Sequence, residues 1–366
     1  MSGSQGVSCS ATCGWSSKTG QIVNCRFRPY NHSSMTVTLR SFAKINLGLR
    51  IGASRADGYH ELLTVYQTIG LHDLVRVSIE RGSGIEIHCA DARVPEDETN
   101  TCYRIAERAM QLLRAKGRVR IQLDKRLPVQ GGLGGASANA VSTLLGLERV
   151  LKKRLPATER LRIVAEVGSD LPLFLLGGTV LGVGRGEQVY PLPDLPAMAC
   201  VVVTPETGVS TPKAFGEWDR RKAAELRSAG ESMAAVPTLT IAWTSDRISR
   251  LSCGLSAWLS EQYSGAPFGR GRAENPLLAL VRAGIKNDFE EVVFPEYPEL
   301  GEAKTALLRA GAKYASLSGS GSTLYGLVAS KAAARSAALR VRRLGWATQV
   351  TATLSRSTYW RRMFVG

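Results

Sequence analysis

No stretch of this chain reaches the ~18 uninterrupted apolar residues of a membrane span. The longest candidate, LPLFLLGGTVLGVG from Leu171, is short and broken by glycines, and it reads as buried core. Cysteine is present but never paired as CxxC, and none of the seven falls at a Cys/His spacing suited to zinc, which argues against a metal site. Cys89, Cys102, Cys200 and Cys253 read instead as buried thiols of a reducing compartment. Acid is scarce: 47 Lys and Arg face 31 Asp and Glu, a formal charge of +16. That excess would suit an anionic partner. The basic clusters, such as Leu151-Lys-Lys-Arg-Leu155 and Leu339-Arg-Val-Arg-Arg-Leu344, lack the interleaved aromatics of a single-strand binding groove. A solvated basic surface is therefore the expectation, and nucleic acid is not an expected partner.

Acid is missing altogether from Met1 to Ser34, a segment rich in Ser, Gly and Asn. It has no hydrophobic core for a secretory signal. A disordered extension, or a start assigned upstream of a true start at Met35, is expected for 1–34, with a transit peptide as the alternative reading. The expected compartment is the cytoplasm, of bacterial type.

What is present begins at Met35. At 44% hydrophobic and 21% charged, the composition is that of a globular protein, and 366 residues suffice for about two domains. β-Branched alternation predicts strands over 36–51 and 73–80, with a turn at Asp57-Gly58 between them. GIEIH from Gly84 is a further short strand. Residues 100–116 place Ile105, Ala109, Leu112 and Leu113 on one helical face, closed by Gly117. VRIQL (119–123) alternates again, then comes PVQGGLGGASANA (128–140), then a helical pattern to Lys152. Strand, glycine loop, helix is a phosphate-binding order, because the helix start offers unpaired N–H groups and the glycines let an anion approach them. The loop lacks the lysine of a Walker A motif and fits a dinucleotide fingerprint only loosely, so on local pattern a structural turn stays open. Asp170, against an apolar run with Pro172 nearby, is either a helix cap or a partly desolvated functional acid. Ser318-Gly-Ser-Gly321 is a second glycine loop before the strand-like 324–328, and Lys44 sits alone in an apolar strand.

Taken in order, Ala43-Lys44-Ile45-Asn46-Leu47, Pro128 through Ala140 and Ser318 through Gly321 resemble the three motifs of the GHMP kinase superfamily. Arg55-Ala-Asp-Gly-Tyr-His60-Glu-Leu, KRLPxxGGLGGxSxNA, Val167-Gly-Ser-Asp170-Leu-Pro, Thr211-Pro-Lys-Ala-Phe215 and Asn287-Asp288 narrow the likeness to its 4-diphosphocytidyl-2-C-methyl-D-erythritol kinase family. The resemblance runs from about Met35 to at least Leu327. It implies an α/β (α+β) fold of two domains with the active site between them: a ribosomal-protein-S5-like first domain over 35–196 and a ferredoxin-like second domain over 197–366, with an insertion near 216–272. It implies ATP, with magnesium accompanying it and no protein ligand assigned to the metal, and a cytidine-diphosphate sugar-alcohol whose 2-hydroxyl is phosphorylated for isoprenoid precursor synthesis.

The resemblance also implies roles. Lys44 and Asp170 are catalytic. Pro128, Gly131, Gly132, Leu133, Gly134, Gly135, Ala136 and Ser137 hold ATP, with Asn100 on the adenosine side. Asn46, Tyr59, His60, Tyr66, Thr211, Phe215, Ser318 and Gly319 bind the acceptor. Gln130, Ala136 and Ala138 stand where the family more often has Gly, Gly and Ser, which would alter ATP affinity. A kinase of the same superfamily acting on homoserine, a sugar or a mevalonate-like alcohol is the alternative reading. A non-catalytic phosphate or nucleic-acid binder is more remote, since it would have no chemical reason to carry Lys44 and Asp170 together.

Overall fold

The computed structural model describes residues 35–228 and 285–366. The segment 1–34, Cys253 and the 229–272 part of the expected insertion lie outside them.

Two long strands dominate the first half. Strands β1 (Val37–Ser54) and β2 (His60–Glu80) form an antiparallel hairpin across the turn at Asp57-Gly58. The second strand is longer than alternation alone predicts, because 60–72 continues as strand rather than loop. Its two halves serve different partners: 74–80 pairs β4 (Arg118–Asp124), and 62–67 pairs β5 (Thr179–Gly184), which pairs β6 (Gln188–Pro191). Strand β3 (Ile85–Cys89) lies parallel to β4, joined through helix α1 (Thr101–Leu112). Helix α2 (Gly135–Leu151) packs on the face of β1 and β2, and its residues are buried without a break from Ala138 to Glu148. Such a helix is apolar nearly all round because every face meets protein. Gly146 makes the close approach possible, since a Cβ there would lie 2.8 Å from Val77.

Helices α3 (Ala157–Val167) and the single-turn α4 (Leu171–Phe174) complete this layer. The apolar run from Leu171 is core, as its composition predicts: Leu171, Leu173, Phe174 and Val180 are all buried.

The second sheet, in the order β10-β7-β9-β8, is antiparallel throughout. It comprises β7 (Ala199–Val203), β8 (Tyr314–Leu317), β9 (Leu324–Val328) and β10 (Thr348–Ala352). Helices α5 (Thr211–Ser228), α6 (Glu290–Glu296) and α7 (Pro298–Arg309) precede β8, and α8 (Lys331–Arg342) joins β9 to β10. Counting strands along the chain, that order is 4-1-3-2 in a β-α-β-β-α-β arrangement, the ferredoxin-like pattern. Between the sheets lies an apolar layer of Ala43, Ile45, Leu47, Val65, Leu133, Val202 and Tyr325. Strand β1 is therefore buried on both faces from Ser41 to Gly52.

The chain ends back on the first sheet. Helix α9 (Arg356–Met363) leads into β11 (Phe364–Val365), which pairs β1. Its Tyr359 packs against Phe42 and donates a 2.7 Å hydrogen bond to the carbonyl of Phe174. The turn of chain that carries Asp170 is thereby clamped from behind.

Of the cysteines expected to be buried, Cys102 and Cys200 are, and burial pushes both thiols up to about 12. Cys89, at the end of the outermost strand β3, is only half-buried.

Candidate active site

Irregularity in β1 sets the site. Register shifts fall between Phe42 and Lys44 and again between Asn46 and Gly48. Such bulges re-aim side chains. Lys44 and Asn46, two residues apart, share one strand face, and Tyr66 stands directly across from Asn46 on β2. Lys44 is buried, and its Nζ donates 2.7 Å to Asn46 Oδ1 and lies 3.4 Å from Asp170 Oδ2. Asn46 is held in that orientation because its Nδ2 donates to Thr64 Oγ1 at 2.8 Å, and Thr64 donates onward to Gly48 O.

Asp170 resolves the ambiguity of its sequence position. It stands at the start of α4, yet its side chain caps nothing. Tyr66 Oη donates to Asp170 Oδ1 at 3.0 Å, so both carboxylate oxygens are engaged by pocket groups. Burial, and then the neighbouring Asp170 charge, push the Tyr66 phenol well above its ordinary range, which keeps it a donor. The Asp170 side chain retains 35% exposure and opens into a cavity of about 640 Å³.

Backbone crossing backbone builds one wall of that cavity. Gly132 (φ +76°) and Gly134 (φ +69°) adopt left-handed conformations open chiefly to glycine. A Cβ on Gly132 would sit 2.1 Å from the carbonyl oxygen of Ser318, and one on Gly321 would sit 2.5 Å from Gly132 N. The two glycine loops thus press directly together, and Ser318 Oγ donates to Gly132 O at 3.0 Å. Gly134 occupies the N-cap of α2 without any side-chain cap, leaving the first-turn N–H groups to face the cavity. Lys125 Nζ comes within 3.2 Å of a Cβ built on Gly135 and is paired with the wholly buried Asp73, which also accepts from the backbone of Arg126 and Leu127. The loop itself lacks a lysine, yet space supplies one from the end of β4.

The opposite wall is made of side chains. Phe215, on α5, stacks on His60 with ring centroids 4.9 Å apart and planes 13° from parallel, and Phe289 braces it edge-on. Asp219 Oδ1 lies 2.7 Å from His60 Nε2. Tyr59 is exposed, and the Arg185 guanidinium lies over its ring at 4.9 Å. Thr211 Oγ1 and Ser320 Oγ are 2.6 Å apart, tying the start of α5 to the second glycine loop.

The site residues expected from sequence therefore converge, with one difference in placement. All of them line this cavity except Ser318, which is wholly buried and holds the loops together. Asn100 lines it too, while its Oδ1 also caps α1 by accepting from Cys102 N at 2.8 Å. Three neighbours escaped the sequence reading: Lys125, Arg185 and Asp219. Lys125 had a signal, since it belongs to the KRLP run before the loop. Asp219 had none, lying in a stretch that reads as an insertion.

The N-terminal domain model of the GHMP kinases matches residues 100–178, and their C-terminal model matches 273–345. A 4-diphosphocytidyl-2-C-methyl-D-erythritol kinase of Solibacter usitatus (strain Ellin6076) is 37% identical over 289 residues, 79% of this chain and 80% of that protein. A crystal structure of a 4-(cytidine 5'-diphospho)-2C-methyl-D-erythritol kinase is similar with a TM-score of 0.62 and 28% identity, covering 86% of this chain and 98% of the other. The mevalonate kinase of L. major, in complex with R-mevalonate, is similar with a TM-score of 0.64 at 14% identity, covering 88% of this chain and 97% of the other. That last likeness speaks for the fold alone.

Proposed function

The chain belongs to the 4-diphosphocytidyl-2-C-methyl-D-erythritol kinase family of the GHMP kinases, and from that premise we infer how its own residues carry the reaction. It is an ATP-dependent small-molecule kinase that phosphorylates the 2-hydroxyl of 4-diphosphocytidyl-2-C-methyl-D-erythritol, a step toward isoprenoid precursors.

The observation that carries the assignment of roles is the Lys44–Asp170 pair, set between a wall of bare backbone and a wall of aromatic side chains in one cavity. Phosphoryl transfer asks mainly for positioning and for stabilisation of developing charge. The glycine wall and the start of α2 take the ATP phosphates through N–H groups. The aromatic wall takes the cytidine end. Asp170 accepts the proton of the tertiary hydroxyl as its oxygen bonds to the γ-phosphorus and the bridging oxygen leaves with ADP. Lys44, 3.4 Å from Asp170, holds the carboxylate in place and offsets charge at the transferring group. Tyr66 occupies the second oxygen of Asp170, so the carboxylate keeps one orientation.

Magnesium fits this cavity as a companion of the ATP phosphates. Among the described residues no three His, Cys, Asp or Glu side chains gather to hold a metal. An ion that keeps several waters and bonds chiefly to phosphate oxygens needs no such cage, and Ser137, which lines the cavity from the first turn of α2, would offer it a hydroxyl oxygen. Its contribution when bound is to neutralise charge on the phosphates. A boundary between the two halves of the chain near residue 196 goes with this reading.

Among the described residues no helix is long and apolar enough to cross a membrane. The cytoplasm is the compartment proposed, because both substrates are charged, soluble metabolites.

The test is turnover of labelled ATP with 4-diphosphocytidyl-2-C-methyl-D-erythritol beside homoserine, mevalonate and galactose. Phosphorylation of the cytidine compound alone, or at least a hundredfold better, is expected. Equal turnover of any other alcohol would sink the specific assignment.

A further inference from the structure

Resting on the reading that His60 and Phe215 take the cytidine end, we infer that Asp219 fixes the tautomer of His60 and so makes the pocket select cytosine over uracil. The hydrogen bond decides it. An ionised carboxylate only accepts, so with Asp219 Oδ1 2.7 Å from Nε2, that nitrogen carries the proton. Ser54 Oγ, 3.2 Å from the same nitrogen, then also accepts from it. In a neutral imidazole with a proton on Nε2, Nδ1 is an acceptor. Both hydrogen-bond contacts of the ring among the described residues are made by Nε2, and His60 lines the cavity.

The ring is also held against rotation. Phe215 lies on its face at 4.9 Å, and Phe289 meets Phe215 edge-on, again at 4.9 Å. Phe215 and Asp219 are four residues apart on α5, hence neighbours on one helical face. One helix turn supplies both the stack and the carboxylate. The Asp219 side chain is half exposed, so packing alone does not account for its position.

Cytosine and uracil differ at ring position 4, an amino donor against a carbonyl acceptor. An acceptor at His60 Nδ1 pairs with the amino group and sets two acceptors against each other in uracil. Asp219 is a positioning residue in this scheme: it touches His60 and not the nucleotide.

The experiment measures CDP and UDP as inhibitors of the full-length protein, competitive with its acceptor, in wild type, Asp219→Ala and Asp219→Glu. Wild type is expected to bind CDP about 10–100-fold tighter than UDP. Asp219→Ala should narrow that ratio about five- to tenfold, chiefly by weakening CDP, with the KM for ATP and the melting temperature unchanged. Asp219→Glu should restore part of it. Nitrogen NMR of the wild-type His60 ring should show an unprotonated Nδ1, a readout that stands even where a variant fails to fold. An unchanged ratio in Asp219→Ala, a protonated Nδ1, or a wild-type preference for UDP would overturn the inference. Wild-type protein that turns over the cytidine substrate but binds CDP and UDP equally would remove the inference and leave the kinase reading intact. Protein that neither turns it over nor binds CDP would remove both.

Discussion

The two walls of the cavity are built from different material. On the side proposed for ATP, Gly132 and Gly321 bring backbone within reach of backbone, and Gly131 and Gly134 leave no room beside the side chains of Pro128, Thr323, Phe174 and Lys44. On the acceptor side, His60, Phe215, Tyr59, Arg185 and Asp219 meet through rings and charged ends, several of them partly exposed. A backbone wall is rigid and sequence-restrictive: a single methyl has nowhere to go. A side-chain wall is adjustable, and its selectivity rests on pairwise contacts that small substitutions weaken by degrees. Between them stands the Lys44–Asp170 pair, which belongs to neither material and to which the proposed function assigns the chemistry.

Breaking that central pair should have the largest effect. Asp170→Asn removes the proton acceptor while keeping shape, and kcat is expected to fall by about 10²–10⁴ with ATP binding nearly intact. Steady-state turnover beside ATP titration by calorimetry checks both halves. Wild-type turnover would remove Asp170 from the mechanism. Next comes the rigid wall. Gly132→Ala places a Cβ 2.1 Å from Ser318 O on a residue at φ +76°, so the two glycine loops must part. Stability should drop by about 2–4 kcal/mol in denaturant titration, with ATP affinity lost ahead of CDP affinity. The adjustable wall should respond more mildly: Phe215→Ala is expected to raise the acceptor KM about tenfold and leave the KM for ATP unchanged. A comparable rise in both KM values would mean that the two walls are not separate.

The same contrast explains what could be read from sequence. Glycines in the order strand, loop, helix pointed to a phosphate-binding backbone, although the local pattern also left a structural turn open. Lys44 stood out as one charge in an apolar strand. The side-chain wall was legible only through its resemblance to a family, since an isolated Tyr, His or Phe is usually core. Asp219 was not legible at all: it meets His60 across 159 positions of sequence, and nothing local marks such a partner. Asp170 was undecided between cap and acid because both roles want a carboxylate before a proline-bearing turn. Its partners, Tyr66 and Lys44, arrive from the hairpin, and only the fold brings them. The β2 segment 60–72 was likewise missed as strand, because a strand buried on both faces loses the alternation that identifies it.

The smallest effect concerns the edge of the rigid wall, where the chain departs from glycine. Gln130 has φ +60°, a left-handed conformation that costs a non-glycine residue about 1–2 kcal/mol. Here the rule of the backbone wall is broken, and strain stands in place of a clash. Gln130→Gly should relieve that strain, less the greater entropy that glycine gains in the unfolded chain. A net stabilisation of about 0.5–1 kcal/mol is expected in denaturant titration. If the loop is then freer to settle on phosphate, the KM for ATP should shift by no more than about threefold, and the acceptor KM should not move. A destabilised Gln130→Gly protein would mean that the Gln130 side chain holds the loop in place, and the ATP wall would then depend on a side chain after all.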